Sequence, residues 1–176
     1  ETNPYPGYSY VLGVDEKIRI LSVEDSDSDF EAIRAFFKNN RKIEIFRSVN
    51  IQGTLNFLIN LKPDLIFMDH VLPDGNSLDL LRILEEKKIE IPSIVITGKG
   101  NEMVASQVIQ AGAYDYLPKD MISKESLLRS IGNTLEKSRL KNEVRKAQEK
   151  IAEMSTRDEL TGLFNHRFFI EALDRE

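Results

Sequence analysis

Five short apolar segments, each followed by a helical pattern, constrain the fold of this chain more than any other feature. Short apolar runs between turn residues are typical of strands buried on both faces of a parallel sheet. The five segments are Lys17–Val23, Ile43–Arg47, the run that ends at Asp69, Ser93–Thr97 and Tyr114–Leu117. Because apolar residues at helical spacing separate them, we predict an α/β domain with a five-stranded, doubly wound parallel sheet from Lys17 to about Asp120.

Polar residues that can bind ligands or take part in a reaction stand at the ends of four of these strands. Glu24 and Asp25 follow the first strand, Asp69 ends the third, Thr97 ends the fourth and Lys119 follows the fifth. The carboxyl ends of parallel strands meet at the edge of the sheet where open α/β sheets bind ligands. We therefore expect these side chains to converge on one site.

The residue types at this edge point to phosphoryl transfer. Three carboxylates in one cluster repel each other, and a divalent cation removes that conflict; with oxygen ligands only, Mg²⁺ is the natural choice. An aspartate can attack phosphorus as a nucleophile, and the reaction also needs a metal and hydrogen-bond donors around the phosphoryl oxygens. We assign the nucleophile to Asp69, the metal to Asp25 and Asp69, and the donors to Lys119 and Thr97.

The same residues resemble the motifs of response-regulator receiver domains. The matching elements are Glu24-Asp25, Asp69 with Leu72-Pro73 after it, Thr97-Gly98 and Lys119. The resemblance covers residues 17–137 and implies a flavodoxin-like receiver fold. It also implies that Asp69 accepts phosphate from a histidine kinase or a phosphotransfer protein.

The resemblance extends to the metal and to a switch. It implies Mg²⁺ held by Asp25, Asp69 and the backbone carbonyl of Val71, with Glu24 acting through water. It further implies that Thr97 and Tyr116 form a switch pair that responds to the phosphoryl group. Three positions depart from the family pattern: Asp120 rather than proline follows Lys119, Ser77 stands where glycine is common, and Glu24 replaces a frequent aspartate.

A long helix is predicted after the fifth strand, from near Ser123 to about Ser155. Leu128, Ile131 and Leu135 have the spacing of a face packed on the sheet. A second apolar series, Leu140, Val144, Ala147, Ile151 and Met154, forms a narrow seam in residues 138–155. We interpret this part as a coiled-coil-like linker that pairs two copies into a homodimer; the alternatives are a helix that folds back on the domain and an adaptor for another protein.

The tail, residues 156–176, resembles the beginning of a GGDEF domain, the diguanylate cyclase family. The matching run is Asp158-Glu159-Leu160-Thr161-Gly162-Leu163-Phe164-Asn165-His166-Arg167. By this resemblance Asn165 and Asp174 match residues that recognise the guanine base, so GTP would bind only if the domain were complete. Since the Gly-Gly-(Asp/Glu)-Glu-Phe signature is absent, the chain as given is not a cyclase, although the parent protein is expected to be one.

The remaining features set limits on the interpretation. Residues 1–16 are expected to form an irregular segment. The chain has no cysteine, no signal peptide and no apolar run long enough to span a membrane. We therefore expect a cytoplasmic protein. The net charge of -5, with no helix-turn-helix pattern after Met154, predicts no DNA partner. One enzyme alternative stays open, a haloacid-dehalogenase-like phosphatase that uses Asp25 as its nucleophile.

Overall fold

The computed structural model describes residues 17–98 and 102–156, with the side chains of 17–98 and 103–153. The segment 1–16 and most of the GGDEF-like tail, including Asn165 and Asp174, lie outside the described residues. The chain divides into two compact units, Glu1–Lys137 and Ser138–Glu176. None of the described helices is long and apolar enough to cross a membrane.

Strands and helices alternate along the first unit as the apolar pattern predicts. The strands are β1 (Ile18–Val23), β2 (Ile43–Ser48), β3 (Leu65–Asp69), β4 (Val71–Leu72), β5 (Gly75–Asn76), β6 (Ser93–Thr97) and β7 (Asp115–Pro118). The helices are α1 (Asp27–Phe37), α2 (Ile51–Asn60), α3 (Ser77–Glu86), α4 (Glu102–Gln110) and α5 (Lys124–Thr156), with a short 3₁₀ turn at Lys119–Met121. The boundaries therefore differ from the sequence prediction by only one or two residues.

Five strands form one parallel sheet in the order β2-β1-β3-β6-β7. The predicted fold class is confirmed. In this order β3 is the central strand, so Asp69 stands at the middle of the carboxyl edge. The strands β1 and β6 flank it and bring the residues that follow Val23 and Ile96 to either side of it.

Helices cover both faces of the sheet and bury two separate apolar layers. One layer joins the sheet to α1 and the beginning of α5, where Ile33, Phe37, Leu127 and Ile131 are buried. The other layer joins the opposite face to α2, α3 and α4, with Leu80 and Val108 fully buried. Burial on both faces explains why the strand segments read as continuous apolar runs rather than as alternating ones.

The beginning of α1 differs from the sequence expectation. The spacing of Ser28 and Glu31 predicts a capping box there, but the N-cap is Ser26, whose hydroxyl accepts the Asp29 N–H at 3.3 Å. Glu31 instead pairs with Arg34 at 3.1 Å. A serine followed three residues later by an acid occurs twice in this stretch, and the chain enters the helix at the earlier one.

The helix α5 carries two different surfaces, one in each unit. In the first unit Leu128 and Ile131 are buried, and Leu135 packs against the same apolar layer, as predicted. In the second unit Leu140, Val144 and Ile151 are 47%, 57% and 66% exposed. The predicted seam is thus an uncovered apolar series in this single chain, apart from Met154, whose side chain lies outside the described residues.

Candidate functional site

Three acids meet at the carboxyl edge of the sheet, as the sequence predicts. Glu24, Asp25 and Asp69 each offer a carboxylate oxygen, and these atoms lie within 4.8 Å of one another. Glu24 is buried, Asp69 is half-buried and Asp25 is exposed. The cluster therefore has an enclosed side and a side open to solvent.

The ammonium group of Lys119 lies among the carboxylates. Its Nζ atom is 2.6 Å from Asp69 Oδ2, 3.1 Å from Glu24 Oε2 and 2.5 Å from Asp29 Oδ2. The residue begins the 3₁₀ turn directly after β7, and Pro118 in the last position of that strand sets the extended backbone before it. No peptide bond within the described ranges is cis, so Lys119 reaches the cluster on a trans backbone.

The ionisation of Glu24 and Lys119 reflects this crowding. Burial raises the pKa of Glu24, and the charge of Asp69 adds to that effect, although the Ser26 N–H and Lys119 oppose it. Burial alone would lower the pKa of Lys119, but the hydrogen bonds to Asp29, Asp69 and Glu24 outweigh it and raise that pKa. Lys119 therefore stays charged, whereas burial destabilises the ionised form of Glu24.

The loop after Asp69 turns back sharply. The Val71 N–H donates to Asp69 Oδ1 at 3.4 Å, and Val71 begins a two-stranded antiparallel hairpin formed by β4 and β5. The sequence predicts only turn chemistry at Leu72–Asn76, so the hairpin is an addition of the structure. The role of the Val71 carbonyl as a metal ligand stays a prediction.

Ser77, which stands where the resemblance to receiver domains implies glycine, is fully buried and contacts His70. Its hydroxyl is 2.8 Å from Nδ1 of His70, and its backbone N–H donates to the His70 carbonyl at 3.0 Å. The extra side chain is thus accommodated by a hydrogen bond. This bond ties the residue after Asp69 to the first residue of α3.

The two residues of the predicted switch lie on adjacent strands. Thr97 is 5% exposed at the end of β6, one residue beyond Ile96, which is the register partner of Asp69. Tyr116 lies in β7 opposite Val95 and is partly buried against the apolar layer of α2, α3 and α4. Their placement is compatible with a coupled movement, which stays a prediction.

Sequence reasoning missed two residues of this site. Asp29, in the first turn of α1, is not singled out by any sequence pattern considered above, yet its carboxylate binds Lys119. Arg47 is the penultimate residue of β2, and its guanidinium donates to the backbone carbonyls of Glu24 and Asp25. The strand-end argument that located the other residues applies equally to Arg47, because β2 is the neighbour of β1 in the sheet.

The donor set of the cluster fits a magnesium ion. Three carboxylates from β3 and the β1–α1 loop supply hard oxygen ligands, and one face of the cluster is open to water. Mg²⁺ prefers one or two carboxylates and keeps several waters. The predicted ligands Asp25 and Asp69, with Glu24 behind a water, are consistent with that preference.

Comparison with known proteins gives one family and many similar structures. A family model described as response regulator receiver domain matches residues 20–132. The PhoB phosphate regulon regulator of Pseudomonas aeruginosa is 34% identical over 113 residues, which are 63% of this chain and 49% of that protein. A protein-glutamate methylesterase/protein-glutamine glutaminase of Clostridium acetobutylicum is 34% identical over 108 residues, 59% of this chain and 31% of that protein.

Among solved structures, a signal receiver domain from Vibrio parahaemolyticus, described as that of a Luxo repressor protein, superposes with a TM-score of 0.66 at 30% identity. The match covers 73% of this chain and 97% of that domain. The chain spans less than half the length of the two curated relatives. The matched family model ends at residue 132, before the seam and the GGDEF-like tail.

Proposed function

This chain belongs to the response regulator receiver domain family, and from that premise we propose that Asp69 is its phosphoacceptor in a two-component system. The observation that carries the proposal is the position of Asp69 at the end of the central strand, 2.6 Å from the Lys119 ammonium and beside Glu24 and Asp25. A carboxylate oxygen of Asp69 attacks phosphorus, and the bond from phosphorus to the donor imidazole breaks. The donor is a histidine kinase or a histidine-containing phosphotransfer protein.

The other residues of the cluster have supporting roles in this proposal. Asp25, Asp69 and the Val71 carbonyl would hold Mg²⁺, with Glu24 acting through water, and the metal would neutralise charge on the phosphoryl oxygens. Lys119 pairs with a phosphoryl oxygen, a role for which its charged state is suited. Thr97 donates to another oxygen, and Tyr116 repacks behind it.

The output of the parent protein belongs to the same proposal. The exposed series Leu140, Val144 and Ile151 supports a homodimer through the 138–155 helix. Since the tail resembles the start of a GGDEF domain, we infer that the dimer brings two diguanylate cyclase domains together, each with one GTP. The two relatives are named for other activities, transcriptional regulation and glutamate methylesterase, so the cyclase rests on the tail motif alone.

Phosphorylation with a small donor tests the function. We expect acetyl phosphate with Mg²⁺ to add one phosphoryl group to the wild type, measured by intact-protein mass spectrometry, and none after chelation with EDTA. Asp69→Asn should remain unlabelled, because the amide is not a nucleophile toward phosphorus. The matched control is Asp64→Asn, which changes a carboxylate just before the same strand, where it pairs with Arg19 at 3.7 Å.

Two results would contradict the proposal. One is equal labelling of Asp69→Asn and the wild type, which would move the acceptor elsewhere. The other is loss of labelling in Asp25→Asn with retention in Asp69→Asn, which would favour the phosphatase-like alternative with Asp25 as the nucleophile.

A further inference from the structure

We propose that Arg47 is a positioning residue for the divalent-cation site, holding the loop that carries Glu24 and Asp25 in the conformation that binds the metal. This inference rests on the proposed function, since it assumes that the acidic cluster binds Mg²⁺. Arg47 lies near the end of β2, directly opposite Ser22 of β1 in the sheet register. Its side chain is 22% exposed and reaches across to the loop that follows β1.

Three separate hydrogen bonds fix the guanidinium to this loop. Nε donates to the Glu24 carbonyl at 2.9 Å, and Nη2 donates to the Asp25 carbonyl at 2.8 Å. Nη1 lies 2.5 Å from the Asp27 carboxylate in the first turn of α1. The guanidinium carbon stands 5.0 Å from the centre of the Phe30 ring, within cation–π range. The planar fork thus binds two consecutive carbonyls and the helix start at once, which a lysine cannot reproduce.

The contacted carbonyls belong to the two residues whose carboxylates enter the acidic cluster. The loop is also held through its N–H groups, since Glu24 donates to the Ser48 carbonyl at 2.9 Å and the Ser26 N–H donates to Glu24 Oε1 at 3.0 Å. With both carbonyls bound to Arg47, the backbone at Glu24 and Asp25 has little freedom to rotate. Groups that orient metal ligands in this way typically alter metal affinity by about 10–100-fold when they are removed.

Charge and positioning make opposite predictions for this residue. A guanidinium near a cation site repels the cation, so loss of the charge alone would strengthen Mg²⁺ binding. Loss of positioning would weaken it, because the two carboxylates would have to be ordered when the metal binds. The sign of the change in affinity therefore separates the two roles.

The test compares four versions of the chain of residues 1–176 by isothermal titration with MgCl₂. We expect Arg47→Gln to weaken Mg²⁺ binding about 10-fold relative to the wild type, and Arg47→Lys to weaken it too, although the charge is kept. The matched control is Arg34→Gln, which removes an exposed arginine of α1 whose guanidinium pairs with Glu31 at 3.1 Å. That control should bind Mg²⁺ as the wild type does.

A second readout is the dependence of phosphorylation by acetyl phosphate on Mg²⁺ concentration. For Arg47→Gln we expect the half-saturating Mg²⁺ concentration to rise about 10-fold, while the rate at saturating Mg²⁺ stays near that of the wild type because Asp69 and Lys119 are unchanged. Circular dichroism shows whether each variant is folded. If Arg47→Gln does not fold, Arg47→Lys carries the same comparison with the charge retained.

The outcomes separate this inference from the function on which it rests. A wild type that neither binds Mg²⁺ nor accepts phosphate overturns the proposed function, and the inference with it. A wild type that binds Mg²⁺, together with Arg47 variants of equal or tighter affinity, overturns the positioning role alone. Unchanged binding in Arg47→Lys with weaker binding in Arg47→Gln would show that the planar guanidinium fork is not needed to hold the loop, and would also overturn it.

Discussion

The carboxylates of Glu24, Asp25 and Asp69 have different environments, although all three lie close together at the carboxyl edge of the sheet. Glu24 is 2% exposed and accepts the Ser26 N–H, whereas Asp25 is open to solvent. Asp69 is 11% exposed and shares Lys119 with Glu24 and Asp29. One ammonium cannot neutralise several carboxylates, so the metal-free cluster retains excess negative charge that a divalent cation would relieve.

The residue-scale prediction concerns Glu24. Its pKa in the folded protein is raised above 4.5, so the folded state favours the protonated form, and stability is lost as the pH rises through the raised pKa. Glu24→Gln imitates the protonated form and keeps an acceptor for the Ser26 N–H. We expect it to raise the free energy of unfolding of the metal-free protein near neutral pH.

The gain should disappear below the ordinary carboxyl pKa, where Glu24 is protonated in both folded and unfolded wild type. Urea titrations in EDTA at several pH values measure it, with Glu86→Gln on the exposed end of α3 as the control. A Glu24→Gln protein that is less stable than the wild type near neutral pH would show that the ion pair with Lys119 outweighs the burial of the charge.

At the scale of elements, the hairpin after β3 is tied to the beginning of α2 by one side chain. The Asp74 carboxylate accepts the N–H of Ile51 at 2.8 Å and that of Gln52 at 3.0 Å, while Asn50 caps the Gly53 N–H at 2.7 Å. Gly75 follows with a φ of +155°, where a Cβ atom would lie 2.8 Å from the Ile51 side chain. The loop beside Asp69 is therefore fixed to a helix from a distant part of the sequence.

The element-scale prediction is that Asp74→Ala costs about 1 kcal/mol of stability, the usual loss for a helix cap. Two backbone donors of α2 lose their acceptor in this variant. Asp74→Asn keeps one acceptor oxygen and should lose less. Urea denaturation of the three proteins measures the difference, and equal midpoints would show that water replaces the carboxylate without loss.

The pH dependence of this cap has the opposite sign to that of Glu24. Desolvation works to raise the pKa of the exposed Asp74 carboxyl, but the N–H groups of Ile51 and Gln52 lower it overall. The contribution is therefore present above the unfolded pKa of 3.8 and is lost as the pH falls through the lowered folded pKa. The difference in stability between the wild type and Asp74→Asn should shrink over that acidic range.

At the scale of the whole molecule, one helix belongs to both compact units. The same α5 buries Leu127 and Ile131 in the first unit and exposes Leu140, Val144 and Ile151 in the second. An apolar series at spacings of four and seven residues, on a helix otherwise rich in charge, is typical of a coiled-coil partner surface. A second copy of the chain is the occupant that we propose.

The whole-molecule prediction is that Val144→Glu with Ile151→Glu abolishes the dimer, because charges in the seam are desolvated when two helices pair. Sedimentation velocity, with and without acetyl phosphate, measures the assembly. The matched control is Lys146→Gln with Lys150→Gln, which changes the net charge equally but lies off the seam.

We expect phosphorylation to shift dimerisation of the wild type by an amount within the usual range of coupling energies, about 1–3 kcal/mol. If the seam variant and the wild type have the same oligomeric state under every condition, the seam is not a dimer interface. The adaptor alternative would then be favoured.

Local patterns in the sequence determined the secondary structure of this protein and the place of its acidic site. The sequence predicted the strands, because burial on both faces leaves continuous apolar runs, and it predicted the stop of α4 before Gly112. It also predicted that Glu24, Asp25, Asp69 and Lys119 converge, because each follows or ends a strand at the carboxyl edge of one parallel sheet. Gly112 has a φ of +101°, which glycine tolerates best. These features depend on neighbours along the chain and on one topological rule.

Only the tertiary structure decided which polar groups meet across that edge. The pairing of Asp29 with Lys119 joins residues 90 positions apart, and the spacing of Asp29 from Ser26 favours a helix cap instead. Arg47 reaches Glu24 from the next strand, 23 positions away, with no local pattern to indicate its target. A polar side chain can hydrogen-bond to several different groups, and the sequence does not say which. The packing of α1 on the sheet selects one partner, because a polar group that is buried without a partner costs free energy.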